Sequence, residues 1–341
     1  MILVYYLIII NLLAFVMYGV DKKKAEKSKY RIPESRLIAV AVLGGAYGAG
    51  LGMLLFHHKT KKTKFRVVVP TFLILNLICV GLILYGNYHL VTTEYEVQNA
   101  SLPDGLDGYR IVQISDLHNQ FFGFNESVLL KKIEKEEPDI IVVTGDVVDS
   151  THTNYGIAES FFKGAVEIAP VYYISGNHEE WLIEKNAEKY EAFIKEVESY
   201  GVEYIDDRAI DIDGIRLVGV SEMSLGKSIY TLPEIEKEEK EETSESALTV
   251  VLAHEPEYIK TYVEDGADLV LSGHNHGGQV RFPGQRGLVS ANFKFFPELD
   301  AGVRDYGKTK LIISRGLGNS VAPIRVNNYP EIVTIVLKKD N

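Results

Sequence analysis

Tyr109-Arg-Ile-Val-Gln-Ile-Ser-Asp-Leu-His118 decides the reading of this chain: a short β-branched run that stops on a carboxylate and, two residues later, an imidazole. Tyr109–Ile114 is too short for a helix, rich in Val and Ile, and closed by turn residues, which is the pattern of a buried strand. The same pattern recurs at Asp139–Val143, Val171–Ile174, Leu248–Leu252 and Ala267–Leu271. Each run is followed at once by polar, metal-binding side chains: Asp116 and His118, then Gly145-Asp146, Gly176-Asn177-His178, His254 and Gly273-His274-x-His276. The C-terminal edge of an α/β sheet is where loops converge and ligands bind, so these five distant fragments are expected to meet in one cluster.

The chemistry follows from the residue types. Imidazole and carboxylate together suit Mn, Fe or Zn, whereas an all-oxygen set would suit Mg or Ca. Two such cations about 3.5–4 Å apart can share a carboxylate and a hydroxide and clamp a phosphoryl group for in-line attack. An Asn offers a neutral oxygen ligand, and a histidine outside the ligand set can protonate the leaving oxygen, a role His178 fits. Singly, each fragment is uninformative. Together, in this order and each at a strand end, they form a set in its expected context.

On these residues the stretch from about Tyr109 to Leu337 resembles the calcineurin-like metallophosphoesterase superfamily, and within it the bacterial YkuE-like branch. The resemblance is carried by Ile114-Ser-Asp-Leu-His118, Thr144-Gly-Asp-Val-Val-Asp149, Gly176-Asn-His-Glu179, His254-Glu-Pro256 and Gly273-His-Asn-His-Gly-Gly-Gln279, with Arg315-Gly-Leu-Gly-Asn-Ser320 and Pro323-Ile-Arg325 further on. It implies that Asp116, His118 and His276 hold one metal, that Asn177, His254 and His274 hold the other, and that Asp146 bridges them. It also implies that His178 contacts the scissile phosphate or leaving group, and that Asp149 supports the shell around a ligand. The implied fold is an α/β two-sheet sandwich with helices on both outer faces; the strand pattern alone says only α/β.

The 341 residues divide into two physically different parts. Residues 1–90 contain 12 Lys/Arg against 3 Asp/Glu, a net +9 in a chain of net −11, so the remainder carries −20. The first part holds three charge-free apolar stretches, Met1–Val20, Leu37–Phe56 and Val67–Tyr85, each near the roughly 20 residues a helix needs to cross a bilayer. The expected organisation is a membrane module over 1–90, a linker over 91–107 and a catalytic domain over 108–341. The first stretch lacks the basic start of a signal peptide and is expected to stay attached.

Basic clusters lie on both sides of the middle stretch, Lys22 to Arg36 before it and Lys59 to Arg66 after it. If that stretch crossed, one cluster would lie outside, against the positive-inside rule. It also carries Gly44, Gly45, Gly48, Gly50 and Gly52, which weaken a helix unless they pack on a neighbour. The expectation is therefore a segment that dips in and returns, with both basic loops cytoplasmic and the acidic catalytic domain outside. These ninety residues also resemble a family of small bacterial membrane proteins of unknown function, through Asp21-Lys-x-x-Ala25, Arg31-Ile-Pro-Glu34, Leu43-Gly-Gly45, Gly52-Met53, His58-Lys-Thr60 and Phe65. That likeness supplies no reaction, and His57 and His58 read as interfacial residues.

Cys79 is the sole cysteine, which excludes an intrachain disulfide and a thiolate metal site in the catalytic domain. Between Gly219 and Ala247 the strand pattern breaks, and Glu234–Glu245 is almost all Glu and Lys; the stretch reads either as an insertion that edges the active site and selects substrates or, in preference, as a solvated helix or loop. Arg281, Arg315 and Arg325 read either as binders of a second phosphate or as ion-pair partners. The expected function is a membrane-anchored, metal-dependent phosphohydrolase acting on a phosphate mono- or diester, including a lipid or envelope phosphate. The alternatives are a non-catalytic scaffold on the same fold, or a nuclease, which a net −20 disfavours because nucleic-acid affinity comes from Lys and Arg replacing counterions. No protein partner is indicated.

Overall fold

The structure is a computed structural model that describes residues 2–99, 102–232, 248–290, 293–319 and 324–340. The charged stretch Glu234–Glu245 lies outside the described residues. Contacts divide the chain between Leu84 and Tyr85.

In the first unit, helix α1 (Ile2–Glu26) is followed by α2 (Glu34–Val40), a wide turn over Ala41–Gly45, α3 (Ala46–Leu55) and the start of α4 (Thr63–Tyr88). Three segments, Tyr5–Glu26, Glu34–Leu55 and Thr63–Tyr88, are long and apolar enough to cross a bilayer. Length is not the whole story for the middle one. Leu43 and Gly44 leave helical geometry, with Gly44 at φ 109°, a conformation that glycine adopts without a Cβ penalty. Beyond that turn the chain runs back: Glu34 Oε1, at the start of α2, lies 2.8 Å from Lys59 Nζ, just past α3. An unbroken helix of 22 residues would instead hold its ends about 33 Å apart.

The hairpin packs on α1 through its small residues. Asn11 of α1 donates to Gly44 O at 2.9 Å and accepts from Gly48 N at 2.9 Å. A Cβ on Gly52 would sit 2.8 Å from that of Tyr18. At the other end, buried Asp21 accepts from Ile32 N at 2.8 Å and Arg31 Nη2 at 3.1 Å, and meets His58 Nε2 at 2.7 Å. His58 is thus a buried partner of Asp21 rather than an exposed interfacial residue.

The second unit is a sandwich of two six-stranded sheets. One has the order β1 (Val91–Asn99), β12 (Glu331–Lys339), β2 (Arg110–Ile114), β3 (Ile140–Thr144), β4 (Val171–Ile174), β5 (Val202–Tyr204). The other runs β10 (Gly302–Tyr306), β11 (Thr309–Ile313), β9 (Leu269–Ser272), β8 (Leu248–Ala253), β7 (Ile215–Val220), β6 (Ala209–Ile212). Ile111, Val142 and Ile174 face Leu217, Val250 and Leu271 in the core between the sheets. Helices α5 (Ser127–Glu134), α6 (Tyr155–Ala165) and α7 (Asn177–Ser199) cover the first sheet through Leu129, Phe162 and Phe193. Helix α8 (Ile259–Glu264) covers the second through Ile259 and Tyr262. This is the α/β sandwich with outer helices that the family resemblance implies.

One expectation is corrected. The supposed linker contains β1, which pairs in parallel with β12 from Val91↔Glu331 to Asn99↔Lys339. Val91-Thr-Thr-Glu-Tyr-Glu-Val is β-prone, and its polar residues suit a half-exposed edge strand rather than a connector.

Candidate metal centre

Strands β2, β3 and β4 of one sheet and β8 and β9 of the other deliver their C-terminal residues to one edge of the sandwich. Gln113 ties the two sheets together there, donating to Thr144 Oγ1 at 3.0 Å and to Ser272 O at 2.9 Å. The side chains that follow the five strands are gathered into three groups whose donor atoms lie within 4.8 Å of one another: Asp116, His118 and His276; Asp146, His254 and His274; and His118, Asp146 and His178.

Asp146 belongs to two of these groups and sits between their histidines. Its Oδ2 is 3.4 Å from His118 Nε2 and 3.2 Å from His254 Nε2. On one side, His276 Nε2 lies 3.1 Å from His118 Nε2 and 3.5 Å from Asp116 Oδ1. On the other, Asn177 Oδ1 lies 3.2 Å from His254 Nε2 and 2.9 Å from His274 Nδ1. All seven residues singled out in the sequence as ligands are therefore neighbours.

The backbone is bent to achieve this. Asp116, His118, Asp146, His274 and His276 all have φ between 45° and 67°, a region sparsely used by non-glycine residues and concentrated at functional sites. Two of the motif glycines have a steric reason. Gly145 has φ 84°, and a Cβ there would come within 2.8 Å of His254 Nδ1. At Gly273 a Cβ would run into Ser115 and the Asp116 carboxylate.

Protonation suits cation binding. Burial drives the His118 imidazole down to about 3 and that of His274 down to about 4. Burial, reinforced by the charge of Arg325, also pushes His276 well below the usual range. These rings are neutral and able to ligate. His254 and Asp146 behave as a pair: burial opposes charge on each, but their mutual attraction outweighs it, raising His254 well above its ordinary value and lowering Asp146 well below its own. His254 Nδ1 faces Thr144 O at 2.7 Å, which holds a proton on Nδ1 and turns Nε2 inward. Converging carboxylates, neutral imidazoles and an amide oxygen fit a pair of divalent cations.

His178 is arranged differently. Its Nδ1 accepts from Ser150 N at 3.1 Å, so a neutral ring carries its proton on Nε2. Asp149 lies 3.9 Å from His178 Nδ1 and 4.0 Å from His118 Nδ1, beyond hydrogen-bond range of both. Burial acts upward on the Asp149 carboxyl, but hydrogen bonds from the Thr151 hydroxyl and the His152 and Thr151 amides hold it below its usual range.

Glu179 closes the Gly176-Asn-His-Glu179 motif, in which it was given no role; the structure makes it a site residue. Buried beneath the centre, it accepts from Asp146 N at 2.7 Å, Gly176 N at 2.9 Å and Val148 N at 3.0 Å. It thereby fastens the loop after β3 to the start of α7. A glutamate three residues past a helix N-cap is the available sequence signal. The three arginines have internal partners: Arg281 pairs with Asp300 at 2.7 Å, Arg315 with Glu331 at 2.7 Å, and buried Arg325 donates to Gly318 O at 2.5 Å and Arg315 O at 2.9 Å. For Arg281 and Arg315 the ion-pair reading holds; Arg325 braces the loops through Nη2, while its Nε and Nη1 have no hydrogen-bond partner among the described residues. Above the centre opens a cleft of about 1080 Å³ that includes Asp146, Asn177, His178, His274 and His276 in its lining.

Comparison with known proteins agrees with this geometry. Residues 109–278 match the family described as calcineurin-like phosphoesterase, and residues 11–65 match a family of unknown function, DUF1294. The uncharacterized metallophosphoesterase YkuE of Bacillus subtilis is 27% identical over 268 residues, covering 75% of this chain and 90% of YkuE. The uncharacterized protein YsdA of the same organism is 44% identical over 82 residues at 24% of this chain and 92% of YsdA. A Bos taurus transmembrane protein with metallophosphoesterase domain is 27% identical over 316 residues, 88% of this chain and 68% of that protein. Residues 109–278 thus form a calcineurin-like phosphoesterase domain, a metal-dependent phosphoester hydrolase, carried behind a DUF1294 module.

Proposed function

We propose that this is a membrane-anchored phosphohydrolase with a dinuclear centre, acting outside the cytoplasmic membrane on a phosphate mono- or diester of a lipid or envelope component. Asp116, His118 and His276 would hold one cation and Asn177, His254 and His274 the other, with Asp146 shared between the two positions; Mn, Fe and Zn suit this mixed set. The single observation that carries the reading is the position of Asp146 Oδ2 between His118 and His254.

When bound, the two cations supply an activated water and neutralise phosphoryl charge. The protein supplies the remainder. Hydrolysis forms one P–O bond to the water oxygen and breaks the ester P–O bond, and the departing oxygen needs a proton. His178 Nε2 holds one, fixed there by the Ser150 amide on Nδ1. Glu179 keeps Asp146 and Asn177 in register by gripping the amides of both loops.

The membrane placement rests on the folded-back middle segment. With both basic loops at one end of α1 and the hairpin returning to that end, α1 and α4 are the crossing helices. Basic loops favour the cytoplasm, so α4 ends outside. Residues 1–90 then serve as anchor and 91–341 as the catalytic part, with β1 as an edge strand of its first sheet.

The test is hydrolysis of p-nitrophenyl phosphate and bis-p-nitrophenyl phosphate by the purified full chain, with Mn present and after chelation. Metal-dependent turnover that returns on re-addition is expected. Bound metal with no turnover of either ester favours a binding module instead.

A further inference from the structure

The cleft over the metal centre has two unlike halves. Its floor is the donor cluster; its wall is Trp181, Val280, Leu288, Val289, Phe293 and Phe295. Three of these are large and open to solvent: Trp181 is 49% exposed, Phe293 71% and Phe295 72%. Clustered apolar side chains in water mark a binding surface rather than ordinary surface scatter. The wall is continuous with the floor in one cavity, so whatever presents a phosphoryl group to the metals lies along it.

Charge narrows the occupant further. Among the described residues lining the cleft there is no Lys or Arg, while Asp149, Glu180, Glu222 and Glu255 all contribute carboxylates. Polyphosphates and nucleic acid strands are held by Arg and Lys contacts to each additional phosphate. This cleft provides none beyond the centre itself, and its carboxylates repel a second anion. Lys294 and Arg286 neighbour the wall in sequence but are not among its lining residues; Arg281 and Arg315 are held in ion pairs, and Arg325 donates to the Arg315 and Gly318 carbonyls.

We infer that the substrate is an amphiphilic ester with a single phosphoryl group, whose hydrocarbon chain lies against the Trp181, Val289 and Phe295 wall while the phosphoryl group sits on the metal centre. This rests on the proposed phosphohydrolase reading and adds the class of its substrate. The wall does for the chain what the cations do for the phosphate: each methylene buried there leaves water. Recognition of this kind grows with chain length and is insensitive to headgroup charge patterns that a basic cleft would read.

The experiment uses the full chain in lipid nanodiscs with Mn, and a series of alkyl p-nitrophenyl phosphates from methyl to octyl, each below its micelle concentration. The expected result is a rise in kcat/KM of about two- to fourfold per methylene, the upper figure matching the ~0.8 kcal/mol of a fully buried CH₂. Phe295→Ser and Val289→Ser are expected to lower the octyl-to-methyl ratio by about tenfold through loss of that wall. Phe295 is exposed, so its replacement leaves the core intact. Turnover of the methyl ester with no chain-length dependence overturns this inference and leaves the phosphohydrolase reading standing. Preference for a nucleoside phosphodiester over the octyl ester overturns it as well, as does a chain-length dependence that survives both wall substitutions. No turnover of any ester by metal-loaded protein overturns both readings.

Discussion

The amide of His178 donates to Asp146 Oδ1 at 2.8 Å, which turns Oδ2 toward His118 on one side and His254 on the other. Replacing Asp146 with Asn keeps the shape and the accepting oxygen but places an NH₂ where the second carboxylate oxygen stood. A donor there opposes cations on both sides. Asp146→Asn is expected to reduce bound metal well below the wild-type amount and to lower kcat by more than about 10³, since both metal positions lose their shared anion. Elemental analysis of the purified variant alongside turnover checks this.

The proposed role of His178 as proton donor separates chemistry from metal binding. Its Nδ1 is engaged by Ser150 N, so the ring presents a proton on Nε2. His178→Ala is expected to retain metal and lower kcat by about 10²–10⁴, the usual cost of a lost general acid. A phenol as good as p-nitrophenol needs little help in leaving, so the loss should be larger with an alkyl leaving group. Metal loss in step with that of Asp146→Asn would place His178 among the ligands instead.

Much of the cluster was legible because its residues follow closely on buried strands, and apolar β-branched runs are the strongest local signal a sequence carries. Ile111, Val143 and Leu271 announce their strands, and Asp116, Asp146 and His274 stand a few residues beyond them. Glu179 was not legible in the same way. Of its three accepted hydrogen bonds, its position three residues past the helix N-cap signals only the one from Gly176 N; the two from Asp146 N and Val148 N come from a distant loop and leave no mark in its neighbours' identities. Strand β1 was hidden for another reason: its alternating Glu and Thr face partly to solvent, so polar residues that look like a connector are those of a sheet edge. The apolar cleft wall was hidden because Trp181 lies on α7 whereas Phe293 and Phe295 lie beyond β9, about a hundred residues away in sequence.

Metal uptake should depend on pH through His254. Its folded value is raised above that of a free histidine by Asp146, against the opposing pull of burial. Below that value a cation must expel a proton to reach Nε2, so apparent affinity is expected to rise about tenfold per pH unit and then level off. Metal-free protein should show the complementary stability effect. The His254 contribution is fully present below the unfolded histidine value and is lost as pH rises through the raised folded one; the Asp146 contribution is present above the unfolded carboxylate value and is lost as pH falls through its lowered one. Chelator competition and thermal melts of the metal-free chain, both taken across that interval, check the two signs. An affinity independent of pH would mean that His254 is neutral before metal arrives.

The clasp around Asp21 makes the membrane arrangement testable. Ile32 N, Arg31, His58 and Lys59 all converge on that one carboxylate, and Glu34 reaches Lys59 and Lys62 at 2.8 and 2.7 Å. The loop after α1 and the loop before α4 are thereby held at the same end of the module, which a crossing middle segment could not allow. In a Cys79→Ser background, Tyr30→Cys and Lys61→Cys should react with a membrane-impermeant maleimide only after cells are permeabilised. Lys308→Cys, exposed in the hairpin between β10 and β11, should react in intact cells. Labelling of Tyr30→Cys and Lys61→Cys from opposite sides would show that Glu34–Leu55 crosses the bilayer; labelling of both loops but not Lys308→Cys in intact cells would reverse the orientation. Asp21→Asn removes the charge at the centre of the clasp, leaving Arg31 and Lys59 without their common anion. It is expected to expose the Lys61→Cys loop to proteolysis in detergent while leaving the catalytic domain folded.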